Sequence, residues 1–94
     1  MEKAILDLSN CKYLLEMHER MKTTLQLPPY YGRNWDALFD SLTYESPVDF
    51  VEIRGEDTVS GELQPSLEEL HEILDAVRRR RAEVGWKFDY KIVD

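Results

Sequence analysis

Apolar residues fall along this chain in blocks whose spacing changes, and each change marks an element. Residues 3–8, KAILDL, are short and largely apolar, which predicts a buried strand. Ser9 and Asn10 are helix-starting residues, and after them Leu14, Met17, Met21 and Leu25 recur at helical spacing. Glu16, Glu19, Arg20 and Lys22 supply a wet side, so a first helix is expected over about 11–25. Pro28-Pro29 cannot continue it. Tyr30, Tyr31 and Gly32 read as a loop, Asn34 as an N-cap, and Trp35–Thr43 as a short second helix. In that helix Leu38 and Leu42, four apart, point inward.

Pro47 ends the second helix, and residues 48–53, VDFVEI, read as a second strand. Residues 55–65 form a loop, with a short helical turn near Thr58–Leu63. Ser66 and Glu69 have capping-box spacing. Leu67, Leu70, Ile73, Leu74 and Val77 then trace one helical face to about Val84, where Gly85 suits the residue after the helix end. Residues 86–93, WKFDYKIV, alternate, with Trp86, Phe88, Tyr90 and Ile92 on one side of a third strand.

The order is β-α-α-β-(α)-α-β. A helix in each strand-to-strand connection implies parallel strands and right-handed crossovers. The expected class is α/β, a three-stranded parallel sheet covered by helices. Residues 1–94 are expected to be a single domain, because two pieces of this chain would each be too small to bury a core.

Charge narrows the partners. Twelve Lys and Arg against 19 Asp and Glu leave −7, spread as −3 over residues 1–50 and −4 over residues 51–94. Direct binding to nucleic acid or an anionic membrane is disfavoured, and a basic partner is allowed. A single cysteine, Cys11, excludes an intrachain disulfide and suits a reducing cytoplasm. The opening MEKAILDLSN has no apolar run fit for a signal peptide.

Catalytic chemistry finds little support. The four glycines form no phosphate-binding loop. Cys11 and His18 lie seven residues apart, roughly 10 Å along a helix, too far for a nucleophile and its base. Glu68 and His71 have a spacing used in carboxylate-bridged metal sites, but matching ligands are missing, and a solvated face with Glu72 and Asp75 is the simpler reading. Arg78 to Arg81 spread round roughly 300° of a helix and cannot form one flat patch. No enzyme activity, cofactor or metal is expected.

Residues 30–44 carry the content. Asp36, Phe39, Asp40 and Thr43 share one face of the second helix, with Trp35 at its start and Tyr30 and Tyr31 on the loop before it. Aromatics crowded around uncompensated carboxylates suit a protein-binding surface. On composition alone, aromatics filling the core beside solvating carboxylates is an equal alternative.

The segment LQLPPYYGRNWDALFDSLT, residues 25–43, closely resembles the signature of the barstar family, intracellular protein inhibitors of a secreted bacterial ribonuclease. The match lies in Leu27-Pro28, Tyr30-Tyr31-Gly32, Asn34, Asp36-Ala37-Leu38, Asp40 and Leu42-Thr43. The resemblance implies that helix 2 and the preceding loop plug a nuclease active site. It places Asp40 in the pocket for the RNA phosphate, Asp36 against cations at the rim, and Tyr30 on the catalytic histidine. The partner-binding set is then Tyr30, Tyr31, Gly32, Asn34, Trp35, Asp36, Phe39, Asp40, Thr43 and Tyr44. The partner would be a small basic ribonuclease or a related nuclease toxin, met by a free monomer. The alternative is a barstar-fold immunity or binding module with a different toxin or a non-nuclease partner.

Departures from the family pattern accompany the match. Phe39 replaces a tryptophan, the link from Thr43 to Pro47 is shorter, with Tyr44 substituting in part for a tryptophan carried there, and Arg79 or Arg80 stands where the family has a glutamate. Glu83 is a candidate for a second family glutamate. The resemblance also makes Ser46-Pro47 a candidate cis peptide.

Overall fold

Strand β1 (Lys3–Asp7) alternates buried Ala4 and Leu6 with exposed Lys3, Ile5 and Asp7. The structure, a computed structural model, describes residues 2–93. Strand β2 (Phe50–Arg54) lies in the middle of the sheet, parallel to β1 on one side and to β3 (Asp89–Val93) on the other. The register aligns Ala4 with Val51 and Tyr90, and Leu6 with Ile53 and Ile92. Partners in a parallel ladder point to one face, so these six residues make the face that the helices cover. Ile92 stays half exposed because β3 is an edge strand.

The helices leave the opposite face open to water. Glu52 sits at its centre, and Lys3 at 3.2 Å, Lys91 at 3.6 Å and Arg54 surround its carboxylate. Hydrogen bonds from Arg54 and then Lys3 hold its pKa below the ordinary carboxylate value. A buried carboxylate on a sheet face is tolerated here because cations replace its water.

Helix α1 (Leu14–Thr24) starts later than the sequence suggests. Ser9 and Asn10 make a turn instead of a cap. The Ser9 amide donates to the Asp7 side chain, the Asn10 amide to Thr58, and Asn10 is left-handed at φ 59°. Glu16 accepts from the Lys12 amide at 3.0 Å, which ties the chain ahead of the helix to its first turn, while the N-cap residue Tyr13 makes no side-chain cap bond. Helix α2 (Trp35–Tyr44) starts where Asn34 predicts. Two 3-10 turns, Glu56–Thr58 and Gly61–Leu63, fill the connection from β2.

Helix α3 (Gln64–Glu83) begins before Ser66, so the expected capping box is not used. Pro65 lies in the first turn, where its missing N–H leaves no hydrogen bond unmade. Gly85 follows the helix end at φ +80°, a conformation that a Cβ would strain. The Trp86 amide still bonds to the Arg81 carbonyl at 2.8 Å. This closing turn keeps Trp86 out of the third strand, which is shorter than expected, and leaves the Trp86 ring half exposed while Phe88 is buried.

The Ser46–Pro47 peptide corrects the cis expectation, since no described peptide bond is cis. The turn is built by the Ser46 side chain, whose Oγ donates to the Leu25 carbonyl at 2.6 Å and accepts from the Val48 amide at 3.1 Å. Leu6, Met17, Leu38, Leu42, Ile53 and Leu74 belong to one buried apolar cluster that joins sheet and helices. Among the described residues no helix is long and apolar enough to cross a membrane.

Candidate protein-binding site

The loop before α2 is fixed from both ends. Asn34 is extended at φ −143°, and its side chain accepts the Ala37 amide at 2.8 Å while donating to the Gly32 carbonyl at 3.1 Å. A Cβ at Gly32 would lie 3.2 Å from Asn34 Nδ2 and 3.4 Å from Ala37 Cβ, so a side chain there would press on the cap. Arg33 is left-handed at φ 51°, which costs a non-glycine residue on the order of 1 kcal/mol. Its guanidinium compensates by pairing with Glu19 and donating to the Tyr31 carbonyl at 3.1 Å.

The two tyrosines of the loop go opposite ways. Tyr30 is 74% exposed, and its hydroxyl donates to the Glu45 carboxylate at the far end of α2. That bond raises its phenol pKa, with burial a smaller cause. Tyr31 is 2% exposed, so its side chain lies beneath the surface of the free chain. Its hydroxyl meets His18 Nδ1 at 2.6 Å, and burial pushes its pKa well up. Trp35 is half-buried, with its ring 4.9 Å from that of His18. His18, Tyr31 and Trp35 therefore form a polar-centred cluster under the loop.

On α2, Leu38 and Leu42 are fully buried, as their spacing predicts. Asp36 and Asp40 are exposed one turn apart, and Phe39 beside them is half-buried against the core. Among the described residues neither aspartate has an ion-pair or hydrogen-bond partner within the protein. Asp36 lies in the first turn, where the helix dipole favours its charge. Gly32 and Asn34 are exposed beside it. Thr43 is 2% exposed, like Tyr31, because α3 packs beside this end of α2. Tyr44 is exposed and closes the strip.

Of the four arginines on α3, three have settled partners. Arg78 pairs with Asp75 and Asp89. Arg80 donates from Nε to the Tyr44 hydroxyl at 2.8 Å. Arg81 is 8% exposed, donates to the Val48 and Leu42 carbonyls at 2.8 and 3.4 Å, and has Phe88 5.5 Å from its guanidinium. Sequence reasoning missed this inward arginine, although four cations spread round a helix leave at least one near the buried face. His71 meets Glu56 at 2.6 Å and stacks on Tyr90, so it packs between elements instead of sharing a solvated face with Glu72. Among the described residues no three His, Cys, Asp or Glu side chains gather as metal ligands would.

The site is thus an exposed acidic strip with aromatic flanks, set on a capped helix over a buried polar cluster. Residues 1–92 match the family described as Barstar (barnase inhibitor). The chain is also similar to the "Putative ribonuclease inhibitor YrdF" of Bacillus subtilis (strain 168), at 44% identity over 43 residues. That alignment takes in 46% of this chain and 47% of the relative, so the match spans about half the length of either protein. With three parallel strands, three helices and a family match over residues 1–92, the chain belongs to the Barstar family.

Proposed function

We propose that this chain is an inhibitor of a small basic ribonuclease and acts by occluding the active site with α2 and the loop before it. It acts in the cytoplasm as a free monomer, has no enzymatic activity of its own, and uses no cofactor. Asp40 occupies the subsite for an RNA phosphate, Asp36 meets cations at the rim, and Tyr30 lays its ring against the nuclease. Gly32, Asn34, Trp35, Phe39 and Tyr44 complete the contact, while Tyr31 and Thr43 support it from beneath.

The observation that carries this reading is the pair of exposed carboxylates, one turn apart, that no cation of the described chain neutralises. An active site shaped for phosphodiester oxygens offers fixed arginine or lysine donors, and a carboxylate accepts the same paired N–H bonds. The aromatic flanks exclude water around that pair. The test is an inhibition assay against a panel of small secreted bacterial ribonucleases. Stoichiometric inhibition of at least one member, lost in Asp40→Ala, is expected. A panel that is neither bound nor inhibited would favour a barstar-fold module with a non-nuclease partner.

A further inference from the structure

Three side chains meet where the acidic strip ends. Tyr44 is the last residue of α2, and Arg80 of α3 donates to its hydroxyl at 2.8 Å. Trp86, in the turn after α3, packs edge-on against the Tyr44 ring with centroids 6.4 Å apart. Tyr44 and Trp86 remain 49% and 47% exposed. Tryptophan, tyrosine and arginine are the residue types most enriched among binding hot spots. Here they restrain one another before any partner arrives, which reduces the ordering entropy that binding must supply.

The cluster is continuous with the strip and opposite to it in charge. Tyr44 lies one helical turn beyond Asp40. Among the described residues Arg80 has only Glu83, at 3.6 Å and itself largely exposed, as a counterion. Arg78 is held away by Asp75 and Asp89, and Arg81 is turned inward. Arg81 reaches the Leu42 carbonyl of α2 from the buried side, so Arg80 is the α3 arginine that meets α2 at the surface.

We propose that the binding surface continues from α2 onto Arg80 and Trp86, and that Arg80 selects a protein partner presenting a carboxylate beside its cationic centre. The proposal rests on the reading of α2 as the partner-binding helix. A carboxylate opposite Arg80 gains a bidentate charge-assisted contact. A lysine or arginine in that position is repelled, so one side chain both attracts one partner and excludes another. Trp86 then buries its open face against the same edge of the partner.

The experiment uses small secreted ribonucleases of known structure, sorted by whether acidic or basic groups flank the active-site cleft. Dissociation constants are measured for wild type, Asp40→Ala, Arg80→Glu and Arg80→Lys. Arg80→Glu should weaken binding to acidic-rimmed enzymes by about tenfold or more and tighten binding to basic-rimmed ones, while Arg80→Lys keeps the wild-type order of preference. Protein labelled with 5-fluorotryptophan gives a resonance for Trp86, assigned through Trp86→Phe, that should shift on complex formation. A wild type that binds through Asp40, with Arg80→Glu changing every partner by less than about twofold or with the Trp86 resonance unmoved, overturns the extension and leaves the α2 reading standing. Binding of basic-rimmed enzymes by Arg80→Glu alone supports the extension. Binding that ignores Asp40, or none by any variant, removes the α2 reading and the extension with it.

Discussion

His18 Nδ1 and the Tyr31 hydroxyl lie 2.6 Å apart, both inside the protein and directly beneath the loop that carries Tyr30. The Tyr31 phenol stays protonated because burial raises its pKa, so it donates to the ring nitrogen of a neutral histidine. Burial first, and the charge of Arg33 second, hold the His18 pKa below its ordinary 6.5. A folded pKa below the unfolded one means that the unfolded state takes up the proton more readily. Stability is then complete above pH 6.5 and is lost as pH falls through the lowered folded value.

Urea melts between pH 8 and pH 5 should show that loss, and His18→Phe should flatten the profile in this window. The structural carboxylates Asp7, Glu16 and Glu52 have pKa values lowered from ordinary values of 3.8 to 4.5, so their loss comes at lower pH. Tyr31→Phe leaves Nδ1 without its donor and should cost about 1–3 kcal/mol at neutral pH. A pH profile unchanged by His18→Phe would remove His18 as its source.

Leu38→Ala and Leu42→Ala should each destabilise the fold by about 2–4 kcal/mol, since both side chains are fully buried. Denaturant midpoints at constant m-value measure it. A loss below about 0.5 kcal/mol in both would mean that α2 is turned the other way and the aspartates face inward.

The orientation of α2 was legible because Leu38 and Leu42 form an apolar pair at helical spacing, and aspartates cannot take their place inside. The strands and their parallel order were legible for a similar reason, through short apolar runs separated by helical ones. Tyr31 was not legible, because adjacent tyrosines carry no mark of which turns inward. That choice is made by His18, thirteen residues earlier, which offers a buried hydrogen-bond partner. The start of α1 differs from its sequence pattern because Ser9 and Asn10 direct their amides to Asp7 and Thr58, the latter 48 residues away. Alternation extends the third strand to Trp86, because it cannot register that Gly85 and the Arg81 carbonyl prolong the helix closure.

Arg81 should matter to stability more than its neighbours. Its guanidinium donates to the carbonyl of Leu42, in the last turn of α2 where helix geometry leaves carbonyls unpaired, and to that of Val48 in the link before β2. Burial lowers its pKa, with Asp49 opposing that shift. Arg81→Ala should cost about 1.5–3 kcal/mol for each charge-assisted bond that counts, and Arg81→Lys should restore it only in part, because both bonds leave from one nitrogen but an ammonium has no planar face to lay against Phe88. Arg79→Ala, at an exposed position, should stay within about 0.5 kcal/mol of wild type. Thermal melts of the three variants decide this, and equal losses at positions 79 and 81 would contradict the inward placement.

Asp40 should control how long a complex lasts, and the field of the whole acidic strip should control how fast it forms. Asp40 is exposed in the free protein and stands between Asp36, one turn before it, and Tyr44, one turn after it. Its water is lost on binding, so it contributes only where fixed cations replace that water. Removing it then leaves those cations buried and unpaired in the complex, a penalty of about 3–5 kcal/mol. That penalty exists only after docking, so Asp40→Ala should chiefly raise the dissociation rate. Asp36, nearer the edge of the strip, should give a smaller change that falls more on the association rate. Raising ionic strength from 0.01 to 0.15 M shortens the screening length from about 30 to about 8 Å, so wild-type association should slow while dissociation changes little. Stability should be nearly unchanged in Asp40→Ala, because no partner within the described chain loses a contact. Stopped-flow association and surface-immobilised dissociation, measured for wild type and both variants at two salt concentrations, separate these terms. Equal dissociation rates for wild type and Asp40→Ala would show that the carboxylate is not seated among cations. The phosphate-mimicking role would then be wrong even for a chain that binds a nuclease.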